Sequence, residues 1–204
     1  MDRRLILVLG GVRSGKSAFA EDLAKQIGEN VLYVATADVG DDEMRHRVEE
    51  HRRRRPESWR TVEIPLKVGM NLQASMEGAD VVLIDCLSVL VANVLQQYGT
   101  DAGDDVVDAA ANIEEFLREE MSDLLACYRG SSASFVIVSN EVGHGVVPPY
   151  PLGRIYRDVL GLANQYIARE ADEVYMLVAG VPIELKALSR ITGQAQIGRL
   201  IDSF

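Results

Sequence analysis

The stretch GGVRSGKS, from Gly10 to Ser17, follows the apolar run Leu5–Leu9 and matches the pattern G-x-x-x-x-G-K-[ST]. In such a loop, successive backbone N–H groups turn inward around phosphate oxygens, which requires small residues that can adopt positive φ. The helix that follows directs the positive end of its dipole at the phosphates. The stretch therefore predicts a triphosphate site between a strand over Leu5–Leu9 and a helix over Lys16–Ile27.

The side chains of this motif have expected roles toward the phosphates. Lys16 is expected to bridge the terminal phosphates, and the Ser17 hydroxyl is expected to hold Mg²⁺. A carboxylate at the end of a neighbouring strand usually supports that ion, and Asp85 directly follows the apolar run Val81–Ile84. Asp85 is the predicted carboxylate, and a second interpretation, that it only caps the next helix, stays open. The predicted phosphate-binding residues are Gly10, Gly11, Val12, Arg13, Ser14, Gly15, Lys16 and Ser17.

Apolar runs alternate with helical patterns along the chain, which is typical of a parallel sheet covered on both faces. The predicted strands are Leu5–Leu9, Val31–Ala35, Val81–Ile84, Phe135–Val138 and Val174–Val178. The predicted helices are Lys16–Ile27, Asp42–Arg54, Cys86–Gln97, Val107–Arg129 and Leu152–Ala171. This pattern predicts one α/β domain over residues 1–204, a three-layer P-loop NTPase fold of RecA-like type with a mostly parallel sheet. The tail over residues 187–204 has no predicted role.

Composition favours a globular protein that neither binds nucleic acid broadly nor spans a membrane. With 204 residues, 48% of them hydrophobic, the chain is long and apolar enough for one globular α/β domain. The net charge of −10 argues against broad binding to nucleic acid or anionic membranes. No apolar run reaches the roughly 18 residues that span a bilayer, and the charged start MDRR leads into a core strand, so we expect a cytoplasmic protein.

Cys86 and Cys127 lack metal-ligand spacing and are predicted to be reduced, packed thiols.

One segment departs from the acidic balance of the chain. Between Arg45 and Arg60 there are seven arginines and three glutamates, which predicts a local anion site. His51 lies in this segment, near the end of a helix that Pro56 must terminate. Neighbouring positive charge favours neutral imidazole, which can attack phosphorus while guanidinium groups neutralise the phosphate oxygens.

The residues alone leave the role of His51 open. It is either such a nucleophile or a surface histidine at the solvated end of a basic helix. His46 competes with it on the same helix, but five residues separate the two and place them on different faces. His144 lies in a glycine-rich loop and could touch substrate, although a lone histidine in a loop is more often incidental.

Several motifs together make the chain similar to one known family. They are GGVRSGKS, YVATA at Tyr33–Ala37, DDEM followed by HRRRRPESW, LIDCLSVLVANVL, SNEVGHGVVP at Ser139–Pro148, RIYRDVLGLANQ at Arg154–Gln165 and VAGVPIELK at Val178–Lys186. The combination of H-x-x-x-R-P-x-x-W with NEVG-x-G-x-V-P is far more specific than the loop motif alone. The chain resembles the bifunctional adenosylcobinamide kinase/adenosylcobinamide-phosphate guanylyltransferase family of cobalamin biosynthesis.

The resemblance implies a two-step enzyme. It would phosphorylate adenosylcobinamide with ATP or GTP, and then transfer GMP from GTP to that phosphate with release of pyrophosphate. It also implies that GMP is carried on His51, that Lys16 is catalytic, and that the protein forms a homotrimer with sites near subunit boundaries. The implied guanine-nucleotide contacts are Gly10–Ser17, Ala35, Thr36, Ala37, Arg52, Arg53, Arg54, Arg55, Glu63 and Asp85.

Three points stay open from the sequence. His51 must attack the α-phosphorus whereas a P-loop kinase transfers the γ-phosphoryl group, so either the helix Asp42–Arg54 moves or the nucleotide binds in a second pose. The alternative functions are a simple P-loop small-molecule kinase with an idle His51, and a nucleotide-dependent regulatory protein. No local motif predicts how the corrin ring is held.

Overall fold

The computed structural model describes residues 3–37, 56–98 and 106–191, with the backbone alone for 106–109. The strands are β1 (Leu5–Gly10), β2 (Val31–Ala35), β3 (Arg60–Glu63), β4 (Val81–Asp85), β5 (Ser134–Asn140), β6 (Glu173–Val178) and β7 (Val181–Glu184). The helices are α1 (Lys16–Ile27), α2 (Val68–Leu72), α3 (Leu87–Tyr98), α4 (Val106–Arg129), α5 (Pro151–Glu170) and α6 (Leu185–Ile191), and a 3₁₀ turn, Gln73–Ser75, follows α2.

All seven strands form a single sheet in the order β3-β2-β4-β5-β1-β6-β7. Strands β1 to β6 pair in parallel, and β7 pairs antiparallel with β6 through a tight turn. Because parallel neighbours all end at the same edge of a sheet, the carboxyl ends of β1 to β6 share one edge, here called the carboxyl edge. The chain of β1 therefore delivers the glycine-rich loop to this edge, at the middle of the sheet.

The strand β1 shows why the sheet is covered on both faces. Its side chains alternate between two apolar clusters, with Leu5 and Leu7 in one cluster and Ile6 and Val8 in the other. The first cluster lies under α2, α3, α4 and α5, and the second lies under α1. Burial on both faces explains the continuous apolar run, since neither face of the strand meets water. The predicted three-layer α/β fold with a mostly parallel sheet is confirmed.

The five predicted strands and four of the predicted helices are present, and each of their ends lies within two residues of the predicted one. The predicted helix Asp42–Arg54 lies outside the described residues. The sequence analysis missed β3, β7 and the short helix α2. Both missed strands have four residues and mostly exposed side chains, so they lack the apolar run that marks a central strand. The tail is helical as far as Ile191, and a single domain over 1–204 stays a prediction.

Candidate active site

The glycine-rich loop has the strand, loop and helix arrangement that the motif predicts. Strand β1 ends at Gly10, and α1 begins at Lys16 after Gly15, whose φ of 93° lies in the left-handed region. Arg13 also has positive φ, at 57°, and Ser14 N–H donates to Gly11 O at 3.2 Å. These turns reverse the chain and leave the first N–H groups of α1 pointing along the helix axis toward the loop.

Position 10 requires a glycine because the loop folds back so closely that a side chain there would overlap its neighbours. A Cβ at Gly10 would lie 2.4 Å from Ser14 Oγ and 2.9 Å from Leu177 O, whereas one at Gly11 would meet nothing within 4 Å. Ser14 Oγ is buried and has no hydrogen-bond partner among the described residues. The turn between β6 and β7 braces the loop from the other side, since Gly180 N–H donates to Ser14 O at 2.9 Å. A buried hydroxyl without a partner in a tightly folded loop suits a ligand that accepts hydrogen bonds.

Lys16 turns back toward its own loop. Its Nζ donates to Gly11 O at 3.2 Å, so the ammonium group lies over the backbone that would surround the phosphates. Burial lowers the pKa of Lys16, and electrostatic interaction with Cys86 and Asp85 opposes that shift. A partly desolvated ammonium interacts more strongly with phosphate charge than an exposed one would, because water screens it less. Ser17, the predicted Mg²⁺ ligand, follows in the first turn of α1.

Asp85 ends β4, two strands from β1 across the carboxyl edge. Tyr33 Oη, from β2, donates to Asp85 Oδ2 at 2.8 Å and orients the carboxylate. Asp85 interacts electrostatically with Lys16, so the two predicted phosphate-site residues are brought together by the fold. The first backbone hydrogen bonds of α3 run from Val89 and Leu90 N–H to Cys86 O, the residue after Asp85, both at 3.2 Å.

Other predicted nucleotide contacts fall in the same row of strand ends. Asp85 pairs with Ala35 of β2, which in turn pairs with Glu63 of β3, an exposed residue. Thr36 is buried and uses its hydroxyl within the protein, accepting from Cys86 N–H at 2.9 Å and donating to Cys86 O at 2.8 Å. The Thr36 side chain therefore ties the end of β2 to the end of β4.

One group of predictions concerns the basic segment. Its predicted residues lie outside the described ones; they are His51, its competitor His46, and the arginines Arg52, Arg53, Arg54 and Arg55. The described chain resumes at Pro56, and the tryptophan of the R-P-x-x-W motif, Trp59, is buried just before β3. His144, by contrast, is described and lies exposed in the loop after β5.

A polar network between the ends of β4 and β5 was not predicted. Ser88 is its centre: the Ser88 and Cys86 side chains are hydrogen-bonded at 2.9 Å, and Asn140 Nδ2 donates to Ser88 Oγ at 3.0 Å. Tyr156 Oη donates to Ser88 O at 3.1 Å, and Asn164 Nδ2 donates to Asn140 O at 3.0 Å. The available signal was the polar run Ser139–Glu141 directly after the apolar run Phe135–Val138.

Both cysteines are free, as predicted. Burial raises the pKa of Cys86 to about 11 and also raises the pKa of Cys127. A thiol that keeps its proton at neutral pH is a poor nucleophile, so neither cysteine is a candidate for covalent chemistry. The described residues contain no group of three or more His, Cys, Asp and Glu side chains that could hold a metal ion by themselves. None of the described helices is both long and apolar enough to cross a bilayer.

A glycine-rich loop between a central parallel strand and a helix, with a lysine and a carboxylate that interact beside it, defines a P-loop nucleotide-binding protein. The described residues 6–37, 56–98 and 106–185 all fall within a match to one family model, which spans residues 6–185: "Cobinamide kinase / cobinamide phosphate guanyltransferase". The chain belongs to this family.

Named relatives agree with the family match. The chain is 42% identical over 184 residues to the bifunctional adenosylcobalamin biosynthesis protein CobU of Escherichia coli (strain K12), covering 89% of this chain and 99% of that protein. It is 42% identical over 180 residues to the bifunctional adenosylcobalamin biosynthesis protein CobP of Pseudomonas aeruginosa, covering 88% and 96%. The RadB recombinase structure matches with a TM-score of 0.43 and 16% identity, covering 85% of this chain and 73% of that one, a likeness too low to bear on function.

Proposed function

We propose that this protein is a bifunctional adenosylcobinamide kinase and adenosylcobinamide-phosphate guanylyltransferase. It phosphorylates adenosylcobinamide with ATP or GTP, and then transfers GMP from GTP to that phosphate to give adenosylcobinamide-GDP and pyrophosphate. The observation that carries the proposal is the phosphate loop with Lys16 and Asp85 beside it, in a chain that matches the cobinamide kinase family over residues 6–185. The same family description covers both steps.

In the kinase step, the loop holds the triphosphate and leaves the γ-phosphoryl group at the carboxyl edge. Backbone N–H groups of Gly10–Ser17 surround the phosphates, and Lys16 moves its hydrogen bond from Gly11 O to phosphate oxygens. Transfer of a phosphoryl group depends mainly on positioning and charge neutralisation, which these groups supply. The rigid strand β1 and the brace from Gly180 to Ser14 keep them in place.

The residues at this edge also fit Mg²⁺. Mg²⁺ takes oxygen ligands and is usually bound by one or two carboxylates together with substrate phosphates, so a cluster of protein ligands is not needed. The Ser17 hydroxyl and the Asp85 carboxylate, which Tyr33 orients, would hold it. When bound, the ion would neutralise charge on the β- and γ-phosphates.

In the guanylyl step, we assign the nucleophile to His51. Its neutral imidazole nitrogen attacks the α-phosphorus of GTP, the bond to the bridging oxygen breaks, and pyrophosphate leaves. A phosphate oxygen of adenosylcobinamide phosphate then attacks the same phosphorus and releases the histidine. Arg52, Arg53, Arg54 and Arg55 neutralise the phosphate oxygens, and Ala35, Ala37 and Glu63 provide contacts to the nucleotide. The covalent route divides a hard exchange between two bulky anions into two easier displacements.

The test is incubation with Mg²⁺ and GTP labelled at the α-phosphate, followed by denaturation and peptide mapping. The wild type and His46→Ala should carry an acid-labile GMP label, and His51→Ala should carry none. His46→Ala is the matched control, since it removes the other histidine of the same segment. A wild type that binds GTP but never becomes labelled would refute the covalent route and favour a simple kinase.

We also propose that the chain works as a homotrimer in the cytoplasm. Support comes from a band of exposed apolar side chains on the β6–β7 edge and α6, which are Val178, Val181, Ile183, Leu185, Leu188 and Ile191. Exposed apolar residues concentrated in one region are typical of subunit contacts. Light scattering after size exclusion should give three times the 22.4 kDa chain mass, and a monomer would refute the trimer.

A further inference from the structure

Glu141 is the first residue after β5, and the residue roles assigned above leave it unused. We propose that Glu141 is the catalytic base of the phosphoryl-transfer step: its carboxylate accepts the proton of the acceptor hydroxyl as that oxygen attacks the γ-phosphorus. The assignment rests on the kinase half of the proposed function.

Glu141 follows the strand that lies between the two predicted parts of the phosphate site, the glycine-rich loop and Asp85. Strand β5 lies between β1 and β4, its Asn140 pairs with Gly10, and its Val138 pairs with Asp85. Glu141 N–H donates to Gly10 O at 3.1 Å, so its backbone touches the first residue of the loop. Neighbouring strands are about 4.8 Å apart. The Glu141 backbone therefore lies between the ends of β1 and β4, at the place where the γ-phosphate and the acceptor hydroxyl must meet.

The other carboxylates described at this edge are less suitable. Asp85 accepts from Tyr33 and lies on the ion side of the site, where a metal would compete for its oxygens. Glu63 lies on β3, four strands from β1, which is roughly 19 Å away at the usual strand spacing. Glu141 is one strand from β1, so by position it is the carboxylate best placed beside the loop.

The Glu141 side chain is held and yet has an oxygen available. Its Oε1 accepts Gly143 N–H at 2.6 Å, and a Cβ at Gly143 would lie 2.9 Å from that oxygen. Among the described residues, Oε2 makes no hydrogen bond. A half-buried carboxylate with one oxygen fixed and the other open can take a proton in a defined direction, which general base catalysis requires.

The backbone that carries Glu141 is fixed by the polar network. Asn140 donates to Ser88 Oγ at 3.0 Å and accepts from Asn164 Nδ2 at 3.0 Å, while Ser139 Oγ donates to Asn164 Oδ1 at 2.6 Å. Helices α3 and α5 therefore both anchor the end of β5. A rigid support of this kind is what a catalytic group needs to stay within a few tenths of an ångström of its productive position.

Phosphoryl transfer to the acceptor hydroxyl forms one bond and breaks another. The acceptor oxygen forms a bond to the γ-phosphorus, and the bond from that phosphorus to the β–γ bridging oxygen breaks. The nucleoside diphosphate leaves with the electron pair of that bond. The hydroxyl proton passes to Glu141, which releases it to water before the next turnover.

The test separates the two half-reactions of the full-length protein with Glu141→Gln. Phosphorylation of adenosylcobinamide should lose about 10²- to 10⁴-fold in kcat, the range for removal of a general base, with KM for the nucleotide within about threefold. Guanylyl transfer onto adenosylcobinamide phosphate made beforehand should stay within about threefold of wild type. The matched control is Glu77→Gln, an exposed glutamate before β4 at the opposite edge, which should leave both half-reactions unchanged.

A structural role would give a different pattern. Glutamine can still accept Gly143 N–H, so if Glu141 only shapes the loop, Glu141→Gln should lose less than about 10²-fold in kcat for phosphorylation, and that result would overturn the assignment. Equal losses in both half-reactions would also overturn it. A wild type that transfers no phosphoryl group to adenosylcobinamide would refute the proposed kinase itself, which is a distinct failure.

Discussion

The central strands β1, β4 and β5 differ from the outer strands β3 and β7 in the burial of their side chains and in the number of neighbouring strands. Every residue of β1 is buried, and β5 is buried up to its last residue, whereas three of the four side chains in β7 are exposed. The central strands have a strand on each side and helices on each face. They also carry the phosphate loop, Asp85 and Glu141 at their ends. The buried core and the proposed reacting groups thus belong to the same three strands, and a rigid support of this kind is what positions reacting groups.

The largest expected effect is at Lys16, the first residue of α1 after the loop that follows β1. Lys16→Ala should lower kcat/KM for phosphoryl transfer by about 10³-fold, since it removes a positioned cation that stabilises charge in the transition state. Initial rates with adenosylcobinamide and ATP or GTP measure it. Lys25→Ala is the matched control in the same helix, where Lys25 is exposed and only pairs with Asp22 at 3.1 Å. A loss below tenfold for Lys16→Ala would show that the loop does not hold the transferred phosphate.

A pair of identical substitutions compares the two kinds of strand directly. Ile137 in β5 is 0% exposed and Ile183 in β7 is 41% exposed. Ile137→Ala should lower the free energy of unfolding by about 2–5 kcal/mol because it leaves a cavity, and Ile183→Ala should cost less than about 1 kcal/mol. Urea unfolding measures both. The comparison concerns the single chain, so unfolding is followed at protein concentrations low enough to dissociate the proposed trimer, and equal losses there would contradict the difference in burial between the two strands.

The two adjacent glycines of the loop offer a finer comparison. Gly10→Ala should lower the free energy of unfolding by about 1–3 kcal/mol, since its Cβ would overlap Ser14 Oγ and approach Leu177 O. Gly11→Ala should leave stability within about 0.5 kcal/mol, because a Cβ there meets nothing within 4 Å. Thermal unfolding of both variants without nucleotide is the measurement. Similar melting temperatures would contradict the tight fold of the loop against β6.

The smallest expected effect is a pH dependence at the end of β4. Burial raises the pKa of Cys86 to about 11 from an ordinary value of 9.0, so the folded protein holds this proton more tightly than the unfolded chain. Stability from this group is complete below pH 9 and is lost as pH rises toward 11, with a loss of about 1 kcal/mol by pH 10. Urea unfolding of wild type and Cys86→Ala at pH 8 and 10 isolates it, since other titrating groups are common to both. Parallel pH profiles would contradict the shift.

The sequence predicted the central strands because each is buried on both faces and reads as an apolar run. It missed β3 and β7 because a four-residue strand at an exposed edge is stabilised by pairing with its neighbour, and local residue types do not report that pairing. The same reason applies at the site. Lys16 belongs to a recognisable loop motif, and Asp85 directly follows an apolar run. Ser88 and Asn164 have no such local mark, and only the fold places them in contact with Asn140.

By itself, the sequence determined the phosphate loop, the α/β class and the resemblance that led to the family, because those depend on local spacing and on residue types that few alternatives share. Only the tertiary structure decided which strand ends become neighbours. The order β4-β5-β1 places Glu141 beside Gly10 and sets Asp85 near Lys16, although these residues are far apart along the chain. The physical reason is that strand order follows from packing between distant segments, which no local pattern contains.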